Sequence, residues 1–118
     1  MADRLEDVVV RLRAFVAERE WEQFHDPKNL AIAVASEAGE LLAEYRWIAN
    51  AEADAWSKEP DNCQRVAMEA ADVGIALLLL CERVGIDFVG AMNEKIQINH
   101  ANYPAEEARG QHSRPLGR

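Results

Sequence analysis

Apolar residues in the first half of the chain recur at the spacing of two amphipathic helices. The first helix is predicted from about Leu5 to Trp21, because its apolar residues stand three and four positions apart and its charges lie largely off that stripe. The pattern then breaks at Asp26 and Pro27, where aspartate is a good N-cap and proline suits the first helical position. A second helix is predicted from there to about Ile48.

The second half of the chain predicts two more helices. A third helix is expected from about Asn62 to Val84, ended by Gly85, and a shorter fourth from about Asp87 to Ala101. The stretch from Ala49 to Asp61 is the only substantial loop in this interpretation. Because no segment alternates like a strand, the predicted fold class is all-α, with a compact protomer like a four-helix bundle.

The third helix indicates that subunits associate. From Val66 to Cys81 it is apolar nearly all round, and Glu69 and Asp72 are its only charges there. Such a helix must be covered on both faces, and so short a chain has too little of itself to cover them. We therefore expect a homodimer or a larger assembly to form around this helix.

Composition and charge narrow the class of protein. The 118 residues, 49% of them hydrophobic, suffice for one domain, which we predict at residues 1–104. Residues 105–118 have little apolar content and are predicted to be a mobile tail. The net charge of −8 repels a polyphosphate backbone, so nucleic acid is not an expected partner.

Membrane association and export are not expected either. The longest uncharged apolar run, from Val73 to Cys81, is half the roughly 18 residues that suggest a membrane span, and the N-terminal segment has no apolar signal region. Cys63 and Cys81 form no C-x-x-C motif, which favours two reduced thiols over a disulfide or a zinc site. A cytoplasmic location is the expectation.

Two pairs of acidic residues are candidates for a metal site. Glu37 and Glu40 are three positions apart on the second helix, and Glu69 and Asp72 repeat that spacing on the third. The apolar stretches around the two pairs, Leu30 to Tyr45 and Val66 to Cys81, contain no basic residue, and unpaired carboxylates on an apolar face are costly unless a cation binds. Four oxygen ligands from two facing helices suit Mg²⁺ or Mn²⁺.

Two alternatives compete with this site. Acid pairs on helices are usually solvated faces that need no metal, although the apolar neighbours of Glu69 and Asp72 count against that here. A di-iron bundle would draw an E-x-x-H motif from each of two helices. The chain has one such motif, from Glu22 to His25, and it lies at a helix end.

The acidic pairs and their flanking segments carry a family resemblance. Glu37-Ala-Gly-Glu40 followed after 28 residues by Glu69-Ala-Ala-Asp72 resembles the split acidic signature of the MazG-like all-α nucleotide pyrophosphohydrolases. Three flanking segments resemble the dCTP pyrophosphatase branch: Arg19 to Leu30, Tyr45-Arg-Trp47, and Lys95 to Pro104 with its K-x-x-x-N and Y-P elements. The resemblance covers the chain from about Leu5 to Pro104.

The resemblance implies a helical bundle, dimeric or tetrameric, that hydrolyses a nucleoside triphosphate to a monophosphate and pyrophosphate. It assigns four carboxylates to Mg²⁺ and to catalysis, and these are Glu37, Glu40, Glu69 and Asp72. Either one of these carboxylates or the metal itself would activate the attacking water. It points to six substrate-binding residues, which are Trp21, Lys28, Asn29, Trp47, Lys95 and Asn99. The tryptophans would stack on the base, and the lysines and asparagines would bind the phosphates; for Trp21 a place in the core is the alternative.

Two positions depart from the family pattern. Ala76 stands where the dCTP pyrophosphatase branch carries a tyrosine, four residues after the aspartate of the second acidic pair. Ser36 replaces a glutamate that many members carry. The small side chain of Ala76 implies a roomier base pocket, so the expected substrate is a dCTP-like or modified nucleotide with its base left open. The alternative function is a non-catalytic helical oligomer that binds a nucleotide or a protein partner.

Overall fold

The computed structural model describes residues 4–111, and every regular element among them is helical. The chain divides into two compact units, one ending at Gly85 and the other beginning at Ile86. The first unit contains α1 (Leu5–Glu18), α2 (Pro27–Tyr45), α3 (Ala53–Lys58) and α4 (Pro60–Val84), and the second contains α5 (Phe88–Asn102) and α6 (Ala105–Ala108). The predicted all-α fold class is confirmed.

Helix α1 ends before Trp21, the residue at which the apolar pattern places its end. Glu20 has a left-handed backbone with a φ of 54°, and the N–H of Trp21 donates a 3.1 Å hydrogen bond to the carbonyl of Val16. Helices commonly end in such a turn, but usually with glycine, so the sequence carries no signal for it here. The turn brings Trp21 edge-on to Phe15, with ring centroids 5.7 Å apart.

Helix α2 begins where the sequence predicts, after a 3₁₀ turn at Glu22–Phe24. Asp26 is the N-cap, and its Oδ1 accepts a 2.9 Å hydrogen bond from the backbone N–H of Asn29. Pro27 takes the first helical position, where no N–H is needed. The helix ends at Tyr45, slightly before the predicted end.

Helices α2 and α4 provide the main packing of the first unit. They run antiparallel, because Glu44 near the end of α2 contacts Arg65 near the start of α4, while Glu37 lies beside Asp72 further along α4. Gly85 ends α4 in a left-handed conformation with a φ of 74°, as the sequence predicts.

The buried core of the described chain is small. Its members are Val16, Leu30, Ala76, Leu78 and Cys81. They come from α1, α2 and α4, so these three helices share one apolar centre. At the surface, Arg13 of α1 is tied to α4 by hydrogen bonds of 2.8 and 3.0 Å to the two carboxylate oxygens of Glu82.

The segment predicted as a loop, Ala49 to Asp61, is largely helical, so that prediction was wrong. A 3₁₀ turn at Asn50–Glu52 leads into α3. The Oγ of Ser57 in α3 donates to the carbonyl of Ala53 and accepts a 2.7 Å hydrogen bond from the Tyr45 hydroxyl. A helix this short shows no apolar period and depends on tertiary contacts such as this one.

The second unit follows its predicted pattern at the start of α5. Asp87 caps the helix, and its Oδ1 accepts a 3.1 Å hydrogen bond from the N–H of Gly90. Helix α6 is a single turn within the segment predicted as a mobile tail, and residues 112–118 of that tail lie outside the described residues. Within residues 4–111, no helix combines the length and apolar character needed to cross a membrane.

Candidate metal and nucleotide site

Charged residues face one another in register along α2 and α4. Helical spacing puts the α2 members on one face and the α4 members on another, and the antiparallel packing pairs them across the two helices. The three levels are Glu37 with Asp72, Glu40 with Glu69, on which its charge acts, and Glu44 with Arg65. We call these six residues the charged strip.

Three carboxylates of the charged strip form a cluster. Glu37, Glu69 and Asp72 each offer an oxygen, and the three oxygens lie within 4.8 Å of one another. Glu37 and Glu69 are half-buried, whereas Asp72 is exposed. Within the described chain none of the three has a hydrogen-bond or ion-pair partner. Unpaired carboxylate oxygens gathered in this way fit a divalent cation that prefers hard oxygen ligands.

The electrostatic environment of Glu69 also favours a bound cation. Its partial burial is the main cause that raises the pKa of its carboxyl above the ordinary value of 4.5. Neighbouring negative charges raise the pKa of Glu69 further, and in decreasing order they are Asp72, Glu40, Glu37 and Glu44. A bound cation would remove this repulsion, because it would favour the charged form of the carboxyl.

The remaining acids of the charged strip differ from the cluster. Glu40 is exposed and lies outside the group of three, although the sequence assigns it to the same metal. Glu44 accepts a 3.1 Å hydrogen bond from the Nε of Arg65. Glu44, which is not one of the four predicted ligands, therefore has a basic partner, and this partner comes from the facing helix.

A cavity of about 250 Å³ adjoins the cluster. Glu37 and Asp72 form part of its wall, and Asn29, predicted as a substrate residue, lies in the same wall. Ala76, the departure from the family pattern, also lines it and is only 6% exposed. The structure thus brings the acidic cluster, a side-chain amide and an apolar surface to one concave place.

A second cavity of about 580 Å³ is lined by Trp21 and Phe15. Both cavities share His25, Ile75 and Leu79 in their walls, so they are neighbours. Trp21 is 43% exposed, which favours an available ring face over a place in the core.

Lys28 and Trp47, the other predicted substrate residues of the first unit, line neither of these two cavities. Lys28 is exposed at the start of α2 and lines neither of them. Trp47 follows α2, is 86% exposed and has the Arg46 guanidinium 5.7 Å from its ring. Lys95 and Asn99 are exposed on α5, in the second unit.

Sequence reasoning did not place Phe24 and His25 among the site residues. Both line the cavity beside the acidic cluster, and His25 lines the Trp21 cavity as well. The sequence feature that could have indicated them is their position directly before the Asp26 cap, close to Asn29. Only the turn that precedes α2 directs them toward α4.

Comparisons with known proteins show which class of protein the chain resembles. No protein-family model matches the chain. The dCTP pyrophosphatase 1 of Rattus norvegicus is 37% identical over 106 residues, and that of Homo sapiens is 38% identical over 105 residues. These alignments cover 90% and 89% of this chain. The chain spans 62% of the length of these curated relatives.

A solved structure matches over nearly its whole length. The crystal structure of a pyrophosphatase from Archaeoglobus fulgidus DSM 4304 has a TM-score of 0.78 and 32% identity, and the match covers 88% of this chain and 95% of that one. The shared fold is that of an all-α pyrophosphatase. Identity and coverage together show that the chain belongs to the MazG-like nucleotide pyrophosphohydrolases.

Proposed function

We propose that this chain is a nucleoside triphosphate pyrophosphohydrolase that uses Mg²⁺, or Mn²⁺ in its place, on a dCTP-like or modified deoxynucleotide. The observation that carries the proposal is the cluster of Glu37, Glu69 and Asp72 beside a cavity that two of them line. The similarity of this chain to proteins named dCTP pyrophosphatase 1, and to a pyrophosphatase of the same fold, supports the proposed class of reaction.

The acidic cluster is the part of the site that would hold the cation. Glu37, Glu69 and Asp72 supply hard oxygen donors with no competing partner in the described chain. A divalent cation held there would neutralise phosphate charge and make the α-phosphorus a better electrophile. This accounts for how a chain of net charge −8 can accept a triphosphate.

We assign the proton transfer to Glu40, the member of the four carboxylates that lies outside the cluster. It is exposed, and its negative charge acts on Glu69. Water attacks the α-phosphorus, the bond from that phosphorus to the bridging oxygen of the β-phosphate breaks, and pyrophosphate leaves with the electron pair. Glu40 accepts the proton that the attacking water loses.

The base is assigned to the cavity lined by Trp21. A tryptophan face can stack on any base, which contributes about 1–3 kcal/mol. The neighbouring wall at Ala76 carries only a methyl group, which leaves room for a substituted pyrimidine. We therefore include modified deoxynucleotides among the substrates, together with dCTP-like ones.

Phosphate binding is assigned to amide and ammonium groups. Asn29 lines the cavity beside the cluster and can donate through its side-chain amide. Lys28, Lys95 and Asn99 remain proposed phosphate contacts on the strength of the family resemblance, and Trp47 remains a proposed base contact.

We further propose that the protein works as a homodimer or homotetramer in the cytoplasm. Large apolar side chains of α2 and α4 are strongly exposed, Leu42 at 69% and Met68 at 52%. Exposure on this scale beside a small core is typical of a surface that another subunit covers. Both cysteines are free, as is usual in a reducing compartment.

A panel of triphosphates tests the proposed function. The protein is incubated with Mg²⁺ and each of the normal deoxynucleoside and ribonucleoside triphosphates and several modified ones, and pyrophosphate release is followed. We expect release from at least one deoxynucleotide, with Glu69→Gln as the inactive control. If none releases pyrophosphate above that control, the enzymatic proposal is wrong and the alternative of a non-catalytic binding protein replaces it.

A further inference from the structure

We infer that Arg65 is a positioning residue that closes one end of the charged strip and confines divalent-cation binding to Glu37, Glu69 and Asp72. The inference rests on the proposed cation site. It adds a role for two residues that the family resemblance does not assign, Arg65 and its partner Glu44.

Two contacts hold the Arg65 guanidinium against Glu44. Its Nε donates a 3.1 Å hydrogen bond to Oε1 of Glu44, and its Nη2 donates a 2.7 Å hydrogen bond to Oδ1 of Asn62. The guanidinium carbon lies 5.9 Å from the centre of the Trp56 ring. The side chain of Arg65 is 53% exposed, and these two hydrogen bonds hold its guanidinium beside Glu44.

Asn62 and Trp56, the two neighbours of Arg65 outside the charged strip, are themselves held by further contacts. Asn62 donates a 3.0 Å hydrogen bond from its Nδ2 to the carbonyl of Trp56 at the end of α3. Trp56 lies edge-on to Tyr45, with ring centroids 5.2 Å apart. The short helix α3 is therefore held between the end of α2 and the start of α4, at the level where Arg65 meets Glu44.

The pairing of Arg65 with Glu44 interrupts the series of carboxylates along the charged strip. Its first two levels have a carboxylate on each helix, and the third has the carboxylate of Glu44 opposite the guanidinium of Arg65. Glu44 lies one helical turn beyond Glu40, about 6 Å along the axis, and its side chain is only 21% exposed. Without Arg65 the acidic surface would continue through Glu44 and offer a cation another carboxylate.

Arg65 thus provides the positive charge beside Glu44, whereas a divalent cation would provide it at the cluster. The guanidinium charge belongs to the chain itself, so it is present at any cation concentration. Glu44 is thereby kept from competing with the cluster for the cation that the reaction needs.

Cation titration separates this role from a purely structural one. Mn²⁺ binding to the full chain is measured by calorimetry and by the paramagnetic signal of the free ion, without substrate. We expect Arg65→Gln to bind an additional equivalent of Mn²⁺, or to bind it at least about threefold more tightly, because Glu44 becomes an available ligand. Arg65→Lys should stay close to wild type, since it retains the charge.

Two further variants identify the cause. Arg65→Gln combined with Glu44→Gln should return to the wild-type number and affinity. Arg46→Gln is the matched control: it removes one positive charge next to the end of α2, but Arg46 has no carboxylate partner in the described chain. It should bind Mn²⁺ like wild type.

Several results would overturn the inference. Unchanged binding by Arg65→Gln would do so, as would a gain that persists in the double variant or appears equally in Arg46→Gln. The single variant Glu44→Gln should keep the wild-type stoichiometry, and a lost equivalent would show that Glu44 is already a ligand. If wild type itself binds no Mn²⁺, the proposed cation site fails, which is a distinct outcome from failure of the Arg65 role.

Discussion

Glu37 of α2 and Asp72 of α4 bring carboxylate oxygens within 4.8 Å of each other across the antiparallel helix pair. Two like charges held this close by the main packing of the first unit repel each other in the absence of a counterion. Packing of α2 on α4 and cation binding are therefore coupled: a cation that binds the folded protein should stabilise it.

Asp72→Asn and Glu40→Gln should separate cation binding from proton transfer. Asp72→Asn removes a carboxylate from the cluster, so its Mg²⁺ affinity should fall at least about tenfold in calorimetry. Glu40→Gln should retain Mg²⁺ binding but lose about 100-fold or more in turnover. Equal Mg²⁺ affinities of Asp72→Asn and wild type would contradict the assignment of the cluster, and full activity of Glu40→Gln would contradict its role as base.

The raised pKa of Glu69 predicts how stability depends on pH. Burial, and after it the neighbouring acids, raise the pKa of Glu69 above 4.5 in the folded state, so the native protein favours the protonated carboxyl. The stability that the protonated Glu69 carboxyl contributes is fully present below its pKa in the unfolded chain. It is lost as the pH rises through the pKa of the folded state. In EDTA at neutral pH, Glu69→Gln should therefore be more stable to urea than wild type, and the difference should vanish in acid.

Added Mg²⁺ is the control for that measurement. It should stabilise wild type and leave Glu69→Gln nearly unchanged, because the variant has lost a ligand. A variant less stable than wild type in EDTA at neutral pH would contradict the electrostatic account of the cluster.

Adjacent residues at the start of α2 offer a matched pair for substrate binding. Asn29 lines the cavity beside Asp72, whereas Lys28 does not. Asn29→Ala should raise the KM for the preferred triphosphate by about tenfold to 100-fold, because a hydrogen bond to a charged group is worth about 1.5–3 kcal/mol. Lys28→Ala should raise it less in steady-state assays, and the opposite order would show that the ammonium group binds the substrate.

The hydrogen bond between Tyr45 and Ser57 should contribute to stability. It is partly buried and fastens α3 to the end of α2. Tyr45→Phe should lower the free energy of unfolding by about 1 kcal/mol, measured by urea denaturation. Ser57→Ala and the double variant complete a thermodynamic cycle, and additive effects would mean that the two side chains are not coupled.

The exposed apolar surface predicts the state of assembly. Light scattering should give a multiple of the 13.2 kDa mass of one chain. Met68→Glu should shift the protein toward the monomer, because it places a charge on an apolar surface of α4. Asn50→Asp, which adds a charge at an exposed polar position, should not. A monomeric wild type would contradict the proposed assembly.

The helices could be predicted from the sequence wherever a local signal marks them. Asp26 before Pro27 marks the start of α2, and Gly85 marks the end of α4, since capping and left-handed turns depend on neighbouring residues alone. The end of α1 escaped prediction because Glu20 takes a left-handed conformation that its residue type disfavours. Helix α3 escaped because Tyr45 and Ser57 stabilise it through a tertiary contact.

For the site, the sequence by itself determined which carboxylates could meet, because E-x-x-E and E-x-x-D spacing puts each pair on one helix face. Tertiary structure decided the register between the faces. It joined Glu37, Glu69 and Asp72 in one cluster, left Glu40 outside, and set Arg65 against Glu44. Spacing within one helix follows from local geometry, whereas the level at which two helices meet depends on the packing of all their side chains.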